Sequence, residues 1–255
     1  MSWQFGGLII SENTLSFPEL QAAEQVFYQA SNKLTQEPAR RFILGITGPP
    51  ACGKSTLAGH LVTALNNIEK DFAQALPMDG FHLHNAELDA KGWRAKKGAP
   101  HTFDVHGFVS TLESVRKAPR KNISWPLYDR HVLHAPIPDG MTIQRDTKLA
   151  IVEGNYLLLS EGPWAGVSDL LDVSWYLEVD EDVAIKRLLA RHLIGGEGEK
   201  VNRKRIFEND LVNSVVIEGT KWLADKVFPA GFFSRAYCDS PKSQSPPSGG
   251  HPTTS

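Results

Sequence analysis

Phe42-Ile43-Leu44-Gly45-Ile46-Thr47-Gly48-Pro49-Pro50-Ala51-Cys52-Gly53-Lys54-Ser55-Thr56 sets the reading of this chain, because an apolar run, a glycine-bounded turn and a helical pattern follow one another directly. Phe42 to Thr47 lacks polar alternation, as a strand covered on both faces should. Lys54 to Leu65 places Leu57, Leu61, Val62 and Leu65 on one helical face. The stretch Gly48, Pro49, Pro50, Ala51, Cys52, Gly53, Lys54, Ser55 and Thr56 satisfies G-x-x-x-x-G-K-S, and it lies between that strand and that helix, the setting the pattern needs. Backbone N–H groups around Gly53 and Lys54 can curl around an anion, and the helix that begins there adds the positive end of its dipole. Lys54 then reaches the β- and γ-phosphates of a nucleoside triphosphate, and the Ser55 hydroxyl is placed to ligate Mg²⁺.

Outward from this loop the same alternation continues. Residues 17–34 predict a helix, with Phe17, Leu20, Ala23, Phe27, Ala30 and Leu34 at helical spacing behind Ser16 and Pro18. Ala73 to Met78, Leu149 to Val152 and Val173 to Leu177 predict further strands, and helical stretches are expected near 104–117 and 180–193. Apolar strands alternating with helices predict an α/β fold: a three-layer sandwich around a mostly parallel sheet. Segment 118–147 is rich in Pro and short polar turns and predicts a small hairpin or lid excursion. Residues 1–239 are expected to form one domain, and 240–255 a disordered tail of Ser, Pro, Gly and Thr without large apolar residues.

Composition excludes more than it identifies. Of 255 residues, 41% are hydrophobic and 22% charged, and 27 Lys and Arg against 29 Asp and Glu give a formal charge of −2. That balance argues against a general nucleic-acid or acidic-membrane binder. Cys52 and Cys238 are too few and too far apart for a disulfide framework or a thiolate zinc site. With no signal-like or membrane-spanning run, the expectation is a cytoplasmic protein without a membrane or nucleic-acid partner.

Two carboxylates end predicted strands. Asp79, in Pro77-Met78-Asp79-Gly80-Phe81-His82, would face the γ-phosphate, where it can accept a hydroxyl proton or help hold the metal. Glu153, in Ile151-Val152-Glu153-Gly154, resembles an acid that holds Mg²⁺ through water. Arg187 and Arg191 stand four residues apart on a predicted helix face before Gly195-Gly196, as lid arginines that neutralise charge during transfer would. His82 is a candidate substrate contact beside Asp79. A metal reading of the nine histidines lacks a third placed ligand.

The ordered set Gly48-Pro49-Pro50…Gly53-Lys54-Ser55-Thr56, Met78-Asp79-Gly80-Phe81-His82, Lys97-Gly98-Ala99-Pro100…Thr102-Phe103-Asp104, Tyr128-Asp129-Arg130, Val152-Glu153-Gly154-Asn155-Tyr156 and Arg187…Arg191-His192 resembles the phosphoribulokinase/uridine kinase family of P-loop kinases. The likeness covers roughly 40–238 and is strongest to a branch labelled nucleoside/nucleotide kinase-like or fructose-transport-system kinase. That family also holds the bacterial-type pantothenate kinases. The resemblance implies ATP·Mg²⁺-dependent phosphorylation of a metabolite hydroxyl (pantothenate, nucleoside or sugar type). It implies Asp79 as catalytic base, Glu153 as metal-associated acid, and Arg187 and Arg191 as lid arginines. It further makes Asp104 an acceptor-hydroxyl ligand and puts Tyr128 and Arg130 in the acceptor pocket, with a dimer or tetramer a common assembly. Three features depart from the family pattern. Ala51-Cys52 stands where relatives commonly show Gly-Ser, Gly219 to Cys238 matches the expected last strand poorly, and no nucleobase-reading pattern is evident. Two alternatives remain: a GTP or ATP switch, for which Asp104-Val105-His106-Gly107 supplies D-x-x-G without a later N-K-x-D, and a regulatory protein on a degenerate kinase fold.

Overall fold

The structure is a computed structural model, and it describes residues 15–117, 120–129, 134–194 and 198–233 together with the backbone of 3–5 and 8–10. The tail expected at 240–255 lies outside the described residues, as do Arg130, Gly195 and Gly196. In chain order, strands β1 (Trp3–Phe5) and β2 (Leu8–Ile10) pair antiparallel and precede helix α1 (Phe17–Gln36). Glu19 of α1 accepts the Ser16 N–H at 2.6 Å, so the capping carboxylate holds the start of the helix. Strand β3 (Phe42–Thr47) leads through the Gly48–Gly53 loop into α2 (Lys54–Ile68), then β4 (Ala73–Pro77) and a 3₁₀ turn, Met78–Phe81. After these come α3 (Asn85–Ala90), α4 (Val105–Lys117), β5 (Ile123–Asp129), β6 (Ala135–Ile143), β7 (Leu149–Glu153) and β8 (Val173–Leu177). Helices α5 (Glu181–Ile194) and α6 (Glu199–Arg205), a π-helical turn at Ile206–Asp210, α7 (Leu211–Glu218) and β9 (Lys226–Phe228) complete the fold.

Five strands form one parallel sheet in the order β4-β7-β3-β8-β9. All residues of β3 and β7 are buried, which explains their lack of polar alternation. Their side chains divide between two cores. Leu44, Ile46, Leu149, Ile151 and Trp175 pack with Val26, Leu57 and Leu61 of α1 and α2. Ile43, Ala150, Val152 and Tyr176 pack with Phe108, Leu112, Trp125 and Trp164 on the other side. The result is the expected three-layer α/β sandwich. The Pro-rich excursion is the antiparallel β5–β6 hairpin, with a register shift between Trp125 and Leu127. The last strand exists despite its weak pattern: β9 contributes three residues, paired parallel to β8.

Arg41, fully buried, fastens the hairpin to the sheet. Its guanidinium donates to the carbonyls of Thr147 (3.0 Å), Val115 (3.0 Å), Lys121 (2.9 Å) and Gln144 (3.2 Å). Those oxygens lie at the end of α4 and beside both feet of the hairpin.

The chain leaves β3 toward β7 and β4 on one side and toward β8 and β9 on the other. A crevice opens at such a reversal, beyond the carboxyl ends of the strands, and ligands of open α/β sheets bind there. The glycine loop follows β3 directly at this position.

Candidate active site

Parallel register brings three chain segments to the crevice side by side. Glu153 at the end of β7 stands opposite both Ile46 of β3 and Pro77 of β4. Two residues beyond Ile46 the loop begins at Gly48, and two residues beyond Pro77 lies Asp79, half-buried in its 3₁₀ turn. The loop and both carboxylates are therefore positioned by strand pairing rather than by flexible connections.

The loop has the backbone an anion cradle requires. Gly48 has φ +142°, and a Cβ there would stand 2.4 Å from the Leu177 carbonyl oxygen, so only glycine fits. Ala51 has φ 64°, a left-handed conformation that costs a non-glycine residue roughly 1–2 kcal/mol. Lys54 is buried; its Nζ donates to the carbonyls of Gly48 (2.8 Å) and Pro49 (2.9 Å) and lies 3.7 Å from Cys52 Sγ. Pro50 is buried beneath the loop, and Thr56 is half-buried in the first turn of α2. The Ser55 hydroxyl donates to Glu153 Oε1 at 2.8 Å, joining the loop to β7. This hydroxyl–carboxylate pair offers hard oxygen ligands, the donor chemistry of Mg²⁺, which takes few protein ligands and fills the rest with phosphate and water.

Arg187 and Arg191, on α5, both face this end of the sheet. Arg187 Nη1 donates to the Ala51 carbonyl at 3.0 Å, touching the loop directly. Arg191 is solvent-accessible but crowded by protein, which lowers its pKa, while Asp210 and Glu153 pull it upward.

The other side of Asp79 is a wall of rings. His82 lies 4.0 Å from Phe103 and 5.0 Å from Tyr128 between ring centroids. Its Nδ1 is 2.8 Å from the Asp79 carbonyl oxygen, so Nδ1 carries the hydrogen and Nε2 is left as an acceptor. Burial, reinforced by Lys97 and Arg205, drives the His82 pKa down to about 3, keeping the ring neutral. The Tyr128 hydroxyl donates to the His134 carbonyl at 2.6 Å. Asp104 is used structurally: its Oδ1 accepts the Gly107 N–H at 2.9 Å and caps α4. The same bond accounts for the D-x-x-G pattern as a helix start.

Lys97, Tyr156 and Asn209 gather here, none of them given a role by the sequence, and the charge of Arg205 acts on His82, Lys97 and Tyr128. Tyr156 donates to the Gly98 carbonyl (2.6 Å) and Asn209 to the Lys97 carbonyl (2.8 Å), fixing the Lys97-Gly98 strap over the crevice. The local signals are the Lys97-Gly98-Ala99-Pro100 and Val152-Glu153-Gly154-Asn155-Tyr156 strings; Arg205 and Asn209 have none.

A strand–glycine loop–helix unit at the switch point, a Ser–Glu pair beside the loop lysine, and arginines on an overlying helix define the P-loop kinase class. The model of the phosphoribulokinase / uridine kinase family matches residues 43–195, and the chain belongs to that family. A Schizosaccharomyces pombe protein provisionally named a uridine kinase is 32% identical over 208 residues, 79% of this chain and 87% of that one. Escherichia coli YggC, an uncharacterised protein, is 34% identical over 199 residues, covering 73% of this chain and 81% of its own length. The crystal structure of a provisionally named fructose transport system kinase from Silicibacter sp. TM1040 superimposes with a TM-score of 0.68 at 35% identity, covering 74% of this chain and 90% of that one.

Proposed function

We propose that this chain transfers the γ-phosphoryl group of ATP to a hydroxyl of a small metabolite, with Mg²⁺ at the Ser55–Glu153 pair. The reading rests on one observation above others: register places Glu153, the Lys54–Ser55 loop and Asp79 next to one another at the switch point. Lys54 and the loop amides hold the β- and γ-phosphates. Ser55 and Glu153 would hold the metal, which would supply neutralisation of phosphate charge. The acceptor oxygen bonds to the γ-phosphorus as the bond to the β–γ bridging oxygen breaks. Its proton passes to the Asp79 carboxylate and ADP leaves. Arg187, already against the loop, and Arg191, near Glu153, offset the charge on the transferring group. Tyr128 and His82 line the acceptor side, and Asp104 contributes by fixing the start of α4. The relatives' names point to different acceptors, so the family alone does not choose among them.

ADP release from ATP or GTP against nucleosides, sugars and hydroxy acids tests this reading. Asp79→Ala should bind ATP within about 3-fold of the parent and lose at least about 100-fold in acceptor-dependent turnover. Full turnover in that variant would remove Asp79 as base. Turnover no higher than that of Lys54→Ala throughout the panel would favour the regulatory alternative.

A further inference from the structure

Beside Asp79, the positive charges of Lys97 and Arg205 both act on His82. Lys97 is half-buried, and among the described residues its ammonium is held only by neutral oxygens, Asn85 Oδ1 at 2.6 Å and the His134 carbonyl at 3.0 Å, with the Tyr128 ring 4.9 Å away. Among the described residues, neither Lys97 nor Arg205 forms an ion pair with a carboxylate. The turn that follows Arg205 packs on the Lys97 strap through Asn209, and Lys96 Nζ reaches the Glu208 carbonyl at 3.2 Å. Arg94 lies in the same neighbourhood but is committed to Asp89 at 2.9 Å. The acidic neighbour on the hairpin is Asp129, whose charge is felt at Tyr128.

A half-buried ammonium without a counter-charge is costly. The cost is visible in Lys97 itself, which burial and the nearby Arg94 and Arg205 pull down to about 8. A neutral acceptor would leave that cost in place, whereas an anion relieves it through short, charge-assisted hydrogen bonds.

We propose that the acceptor carries an anionic group, a carboxylate or a phosphate, which Lys97 and Arg205 grip while Asp79 addresses its hydroxyl. The rings of Phe103, His82 and Tyr128 flank its carbon skeleton, and His82 Nε2 accepts from a second hydroxyl. This inference rests on the kinase reading and deepens it.

Matched acceptor pairs separate the two. Pantothenate against pantothenol and glycerate against glycerol vary the carboxylate, ribose 5-phosphate against ribose varies the phosphate, and uridine is a neutral control. With saturating ATP, the charged member of at least one pair should be preferred about 100-fold in kcat/KM, and which pair responds tells carboxylate from phosphate. Lys97→Gln and Arg205→Gln should raise the acceptor KM about 10- to 100-fold with the ATP KM nearly unchanged, and Lys97→Arg should recover most of the loss. Equal use of neutral and charged members, or an unchanged acceptor KM in Lys97→Gln, overturns the anion inference and leaves the kinase standing. Should no acceptor release ADP, the kinase reading fails and binding decides the inference. Inorganic phosphate and glycerate are then titrated against the protein loaded with Mg²⁺ and a non-hydrolysable ATP analogue, following the His82 ring proton by NMR. A shift with either anion that Lys97→Gln abolishes supports the site; no shift with either overturns it.

Discussion

His82 carries a consequence for stability as well as for the pocket. Folding drives its pKa from 6.5 to about 3, so between those values the unfolded chain binds a proton that the folded protein does not. Stability from this residue is complete above pH 6.5 and is lost progressively as pH falls toward 3. From pH 7 to pH 5 the loss is at most about 2 kcal/mol, a ceiling because the ring keeps some access to water. Urea unfolding at the two pH values should show this loss in the parent and a smaller one in His82→Asn; equal losses would clear His82 of the effect. Residues of this kind divide sharply in how far sequence reveals them. Lys54, Ser55 and Glu153 are legible because local spacing and an apolar strand dictate where they stand. Arg205 comes within electrostatic reach of Lys97 through packing of the π-helical turn on the strap, and no sequence period encodes that approach. Asp104 shows the opposite case, a motif residue whose carboxylate serves a helix cap.

Among the elements, the Met78–Phe81 turn is tightly constrained. Trp125 of β5 donates to the Pro77 carbonyl at 3.0 Å, so the hairpin lies directly on the turn that carries Asp79. A Cβ at Gly80 would stand 2.0 Å from the Pro126 carbonyl oxygen, a backbone atom that cannot swing aside. Gly80→Ala should cost roughly 2–4 kcal/mol, lower Tm by about 5–10 °C and reduce acceptor turnover more than ATP binding. Differential scanning calorimetry and ADP release check both; a parental Tm would mean that the hairpin yields without penalty. The buried strands were legible almost to the residue because burial on both faces leaves an uninterrupted apolar run. The hairpin was legible only as an excursion, since β6 is only partly buried and its Pro residues mask alternation. Strand β9 was faint because only three residues of it pair, and the π-helical turn has no sequence period of its own.

For the molecule as a whole, Arg41 links parts that are otherwise distant along the chain. Four carbonyls from the end of α4, the hairpin feet and the segment leading into β7 converge on one buried guanidinium. Lysine cannot serve four divergent oxygens, so Arg41→Lys should lose about 3–5 kcal/mol, read from chemical denaturation, with nucleotide binding retained by the folded fraction at low temperature. A loss below about 1 kcal/mol would mean that water replaces the lost bonds. The order β4-β7-β3-β8-β9 places the glycine loop at the centre of the sheet, while the strap and hairpin proposed to read the acceptor come from the connection between β4 and β7. Because that connection is anchored at its base, changes at its far end need not propagate into the sheet. Drift toward a new metabolite could then proceed in small steps while the nucleotide loop kept its shape, one route by which a single scaffold comes to serve many acceptors.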